Sequence, residues 1–65
     1  MSINKKISDV INDVKKLYGD DIRIRVIDGL YNDIEEQSWK NNEDLFLVEW
    51  YRISFYFFKC TIKVL

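Results

Sequence analysis

The apolar residues between positions 3 and 18 recur at helical spacing, three or four residues apart. They are Ile3, Ile7, Val10, Ile11, Val14, Leu17 and Tyr18. Ser2 is a preferred N-cap residue, and Lys15 and Lys16 suit the negative end of a helix. Gly19 stands where a left-handed residue commonly ends a helix. The sequence predicts an amphipathic helix over residues 3–18, capped by Ser2.

Residues 22–27 alternate between apolar and polar side chains. Isoleucine and valine at even positions alternate with arginines at positions 23 and 25, which predicts a strand with one buried face. Asp28 and Gly29 tolerate positive φ and indicate a tight hairpin turn. The following residues 30–40 alternate poorly. They are compatible with a short strand, a short helix or an ordered loop.

Residues 45–65 contain no Gly, Pro, Asn or Asp, and seven of these residues are aromatic. Residues 55–65 alternate as a strand whose outward side chains include Lys59, Thr61 and Lys63. A break in the alternation near residues 52–54 indicates a bulge or a bend between two strands. Residues 45–58 could instead form a helix, although aromatic and β-branched side chains favour a strand.

These elements predict one α+β domain over residues 1–65. An N-terminal amphipathic helix would pack on a small antiparallel β-sheet. The main contact would join one helix face to the strand at residues 56–64. The helix residues in that contact are expected to be Ile7, Val10, Ile11 and Val14.

The size of the chain raises the question of how it is stabilised. A domain of 65 residues buries only about 60% of the surface that its unfolded chain exposes. With one cysteine and no histidine, the chain has neither an internal disulfide nor the usual ligands of zinc. We therefore expect self-association, an unusually rich apolar core, or both.

The charge distribution is more informative than the net charge of −1. Residues 20–44 carry eight acids and three basic residues, which predicts one acidic surface. The amphipathic, charged N-terminus is not typical of a secretory signal. Four charged residues interrupt the apolar C-terminal third and argue against a membrane span. We expect a cytoplasmic protein.

Candidate catalytic chemistry is sparse. The chain lacks histidine, and its serines stand in no recognisable motif. Cys60 lies between apolar residues of a predicted strand and is expected to be a small buried hydrophobe. We predict a non-enzymatic protein without a cofactor or a metal site.

The acidic segment supplies the candidate binding residues. They are Asp33, Glu35, Glu36, Trp39, Glu43 and Asp44. The carboxylates would steer a basic protein partner, such as a nucleic-acid-binding enzyme, and Trp39 would anchor the contact. Trp39 could equally fold back over the core. Residue types favoured by AT-rich codons suggest a phage or mobile-element protein, so the favoured function is inhibition of a host protein.

Two alternatives remain open. The first is a small nucleic-acid-binding regulatory protein with a basic and aromatic sheet face. It requires Trp50 or Tyr51 to share one face with the basic side chains Arg23, Arg25, Arg52, Lys59 and Lys63. A net charge of −1 supplies little attraction for phosphates and disfavours it. The second is a structural subunit whose aromatic strand completes a larger assembly.

Overall fold

The computed structural model describes residues 4–42 and 45–65. In chain order the elements are β1 (Lys5–Lys6), α1 (Ile7–Tyr18), β2 (Arg23–Ile27), α2 (Glu36–Asn41), β3 (Leu47–Ser54) and β4 (Lys59–Val64). The strands form one sheet in the order β1-β3-β4-β2. The predicted α+β fold with an N-terminal helix on a sheet is confirmed. The sheet is mixed and not wholly antiparallel, because β2 runs parallel to β4.

Helix α1 begins later than the sequence predicts. Lys5 pairs with Val48 of β3, and the Ile7 N–H donates to the Phe46 carbonyl at 3.2 Å. This pairing holds the preceding chain extended, so the helix starts only where the pairing ends. Lys6 is the N-cap. The predicted Ser2 cap is therefore wrong, and Ser2 itself lies outside the described residues.

The end of α1 agrees with the prediction. Gly19 has a φ of 97°, and its N–H donates to the Lys15 carbonyl at 2.9 Å. A Cβ at this position would meet the Asp21 Oδ1 at 3.0 Å. Glycine is favoured here because it accepts positive φ and leaves room for that carboxylate.

The aromatic C-terminal third forms an antiparallel hairpin, as the strand interpretation predicts. Strands β3 and β4 pair from Val48 opposite Val64 to Ser54 opposite Lys59. The turn between them occupies residues 55–58, slightly beyond the predicted break at 52–54. The register shifts between Val48 and Trp50, where a bulge interrupts β3. The helical alternative for residues 45–58 is wrong.

The loop after β2 does not form the predicted hairpin. The Asp28 Oδ1 accepts hydrogen bonds from the backbone N–H groups of Leu30 at 2.8 Å and Asn32 at 2.9 Å. Positive φ falls on Tyr31, at 63°, and not on Gly29. Only a single bridge between Ile27 and Asp33 follows before α2 begins. The side chain of Asp28 therefore organises a loop, and β2 takes its strand partner from β4.

The core lies between α1 and one face of the sheet. Ile7, Val10, Ile11 and Val14 of α1 are buried in one cluster with Cys60, Ile62 and Val64 of β4. The predicted contact between the helix and the last strand is confirmed. Trp39 of α2 belongs to the same cluster. Neither helix of the described chain is long and apolar enough to cross a membrane.

Candidate functional site

The turn between β3 and β4 consists of four consecutive aromatic residues. Phe55, Tyr56, Phe57 and Phe58, here called the aromatic turn, are 75%, 98%, 62% and 39% exposed. The Phe55 ring meets Tyr18 of α1 edge-on, with centroids 6.1 Å apart. The Lys59 Nζ lies 5.8 Å from the Phe57 ring centroid. The aromatic turn therefore projects apolar surface into solvent from the end of the sheet.

The backbone of the aromatic turn is strained at its last residue. Phe58 has a φ of 46°, which a bulky side chain rarely adopts. Gly, Asn and Asp are the residues that normally occupy such positions. A bulky phenylalanine at this position therefore costs conformational energy in the turn. Departures of this kind are more frequent at binding sites than elsewhere.

The second candidate surface is the sheet face opposite α1. In β4, Cys60, Ile62 and Val64 point into the core, so Lys59, Thr61 and Lys63 point away from it. The cross-strand register places side chains from β2 and β3 beside them. We call this surface the open face; its residues are Arg23, Arg25, Ile27, Trp50, Arg52, Ser54, Lys59, Thr61 and Lys63.

Two ion pairs lie on the open face. The Arg25 Nε donates to the Asp33 Oδ1, and this hydrogen bond lowers the pKa of Asp33 while raising that of Arg25. The Lys63 Nζ lies 3.1 Å from the Glu49 Oε2. It also lies 5.1 Å from the Tyr31 ring centroid. Because the hydrogen bond from Arg25 lowers its pKa, Asp33 stays ionised at neutral pH. An ionised carboxylate suits a structural ion pair better than proton transfer.

The open face collects much of the positive charge of the chain. Besides its five basic residues, Lys6 lies on the same side, because it pairs with Leu47 next to the inward-facing Val48. Asp33 forms an ion pair with Arg25, and Glu49 forms one with Lys63. The open face is therefore basic, although the chain has a net charge of −1.

The predicted acidic site is only partly assembled. Trp39 is 9% exposed and belongs to the core, so it is not the exposed anchor that the sequence suggested. Asp33 pairs with Arg25, and the Glu36 Oε1 lies 3.4 Å from the Lys40 Nζ. Glu35 is exposed before the first residue of α2. Glu43 and Asp44 lie outside the described residues.

A groove of about 670 Å³ runs along the free edge of β2, between α1 and α2. Ser8, Asn12, Arg25, Glu36 and Lys40 contribute polar groups to its lining. The buried thiol of Cys60 does not line it, and burial raises the pKa of that thiol to about 11. Cys60 is fully buried, as the sequence predicts, and stays protonated at neutral pH.

Sequence reasoning missed the aromatic turn as a separate site, since it assigned those residues to a strand. The signal was present in four consecutive aromatic residues that interrupt the alternation of the strand. Comparisons with protein-family models, curated proteins and solved structures gave no match to this chain. The candidate sites therefore rest on geometry and charge alone.

Proposed function

We propose that this chain is a non-enzymatic, cytoplasmic binding module that contacts a partner protein through the aromatic turn. The observation that carries the proposal is the exposure of Phe55, Tyr56 and Phe57 at 75%, 98% and 62%. Large exposed apolar patches on small proteins usually mark interaction sites. Tyr and Phe are also enriched in protein interfaces.

The chemistry around the aromatic turn defines the partner. A projecting group of rings fits a concave apolar pocket. The Arg23 guanidinium donates to the Phe57 carbonyl at 2.6 Å, and Lys59 lies against the Phe57 ring. These two cations favour carboxylates at the rim of the partner pocket. The partner is therefore a protein with an apolar pocket and an acidic rim, and inhibition of that protein is the proposed outcome.

The acidic segment keeps a smaller part in this proposal. Glu35 and Glu36 are exposed, and Glu36 lines the groove along β2. They can steer a basic region of a partner, but Trp39 does not supply an anchor there because it packs in the core. The aromatic turn takes over that anchoring role.

Affinity capture tests the proposal with a matched pair of variants. The turn variant carries Phe55→Ser and Tyr56→Ser. The control carries Leu30→Ser and Leu45→Ser, which remove side chains that are 82% and 79% exposed elsewhere on the surface. Each immobilised protein is incubated with a nuclease-treated lysate of a low-GC bacterium, and the retained proteins are identified by mass spectrometry.

A protein that the wild type and the control retain, and that the turn variant loses, supports the proposal. Truncation of interface anchors commonly costs about 2 kcal/mol or more, so the affinity of the purified pair should fall at least about 30-fold. If the turn variant retains the same proteins as the control, the aromatic turn is not the contact surface.

A further inference from the structure

We propose that the open face, together with the adjoining Phe57 ring, binds single-stranded nucleic acid, at a site that shares Arg23, Phe57 and Lys59 with the proposed protein contact. Phosphate attraction depends on the local arrangement of cations and not on the net charge of a chain. The basic side chains on this side of the sheet are Lys6, Arg23, Arg25, Arg52, Lys59 and Lys63.

Three of these cations are available for phosphates. Arg25 and Lys63 are held by Asp33 and Glu49. Arg23, Arg52 and Lys59 form no ion pair within the described parts of the chain. They come from three strands, because Arg23 lies opposite Lys59, and Arg52 lies opposite Thr61, the next outward residue of β4. The three charges therefore lie close together on one surface.

Aromatic rings lie beside the cations, as base stacking requires. At one end of β4, Lys63 contacts the rings of Tyr31 and Trp50, at 5.1 and 5.9 Å. At the other end, Lys59 lies 5.8 Å from the Phe57 ring. The two lysines are four residues apart along β4, a separation of about 13 Å. Sheet faces that combine rings and cations in this way stack two or three unpaired bases.

The partner is single-stranded and not duplex. Rings that stack on bases need bases whose faces are open, and a paired duplex hides them. Tyr31 and Phe57 are each 62% exposed, so their rings are accessible. A purely anionic partner without bases or apolar groups would satisfy the cations but would not use the rings in this way.

Fluorescence anisotropy tests this inference. The probes are labelled ten-nucleotide oligo(dT) and oligo(U), a ten-base-pair DNA duplex, and polyglutamate as an unlabelled competitor. We expect saturable binding of the oligonucleotides at 50 mM salt. Because this binding would neutralise three phosphates, raising the salt concentration from 50 to 200 mM should weaken it about 20-fold. Binding of both oligonucleotides, or of either one alone, supports the inference.

Charge variants locate the site. Arg52→Glu combined with Lys59→Glu should weaken oligonucleotide binding at least tenfold, and Arg52→Gln with Lys59→Gln should weaken it to a smaller extent. Lys16 lies on the exposed side of α1, so the control variant Lys16→Glu should change oligonucleotide binding less than twofold. Thermal melts followed by circular dichroism establish that each variant is folded. If the Gln variant, which adds no carboxylate, is folded and binds as tightly as Lys16→Glu, the site is not the open face.

A second pair of variants separates stacking from attraction. Phe57→Ala removes a ring next to Lys59 and should weaken binding at least fivefold. Phe55→Ala removes a ring of the same turn that contacts Tyr18 on the helix side, and it should leave binding unchanged. The inference is overturned if Phe57→Ala and Phe55→Ala weaken oligonucleotide binding equally, or if the oligonucleotides do not bind saturably. It is also overturned if the duplex binds as tightly as the oligonucleotides, or if polyglutamate displaces them completely.

Discussion

Replacing Ile11 with alanine tests how far the fold depends on the contact between α1 and the sheet. Ile11 belongs to the core cluster but is 9% exposed and borders the groove along β2. Truncation of a buried Ile to Ala costs about 2–5 kcal/mol. Because Ile11 lies at the rim of the core, we expect the lower part of that range, about 2–3 kcal/mol.

That loss is large for this chain. At about 0.05–0.15 kcal/mol per residue, a protein of 65 residues has roughly 3–10 kcal/mol of stability in total. A loss of 2–3 kcal/mol should lower the melting temperature by about 8–24 °C. Urea denaturation followed by far-UV circular dichroism measures the free energy directly, provided that the slope with denaturant is unchanged.

Leu17→Ala is the matched control on the same helix. Leu17 is 72% exposed, so its truncation should change the free energy of unfolding by less than about 0.5 kcal/mol. If Ile11→Ala and Leu17→Ala shift the unfolding midpoint equally, α1 is not docked on the sheet through this face. The placement of the core would then be wrong.

Two further predictions concern association and pH. The exposed aromatic turn should promote self-association, so sedimentation velocity at micromolar concentration should show a species heavier than 7.9 kDa; a thermally stable monomer contradicts this expectation. Backbone hydrogen bonds from Asn32 and Leu30 lower the pKa of Asp28 from 3.8. The ionised carboxylate therefore stabilises the fold above that pH, and this contribution is lost as the pH falls through the lowered pKa. The stability difference between wild type and Asp28→Asn should accordingly be largest near neutral pH and shrink below about pH 3.8, and a constant difference in thermal melts from pH 2 to 6 contradicts it.

The sequence was most informative where local periodicity and tertiary packing agree. Helix α1 follows its apolar stripe, and β4 follows its alternation, because each has one face in the core. The start of α1 was missed, since Lys5 and Lys6 become a strand only by pairing with β3. Likewise, a dipeptide such as Asp28-Gly29 does not reveal that β2 pairs in parallel with β4, which lies more than thirty residues away.

The placement of Trp39 was undecidable from its neighbours. It is the one buried residue of α2, and polar residues flank it on both sides. With Ile34 as the other large apolar residue nearby, the segment has no period that would distinguish an exposed anchor from a side chain packed in the core. The tertiary fold makes that choice, because α2 follows β2 and covers the side of the core next to its free edge.

Charges counted along the sequence do not show where the charged surfaces lie, for a related reason. Such a count assigns Arg23 and Arg25 to an acidic segment, and it does not show that they share a sheet face with Arg52 and Lys59. Strand alternation instead separates neighbours onto opposite faces and brings together residues far apart in sequence. The register of β2, β4 and β3 aligns these cations, while acids such as Asp9, Asp13 and Glu36 lie on the two helices. A net charge of −1 is therefore compatible with one basic surface, because strand register decides which side chains share a face, and the sequence alone does not reveal that register.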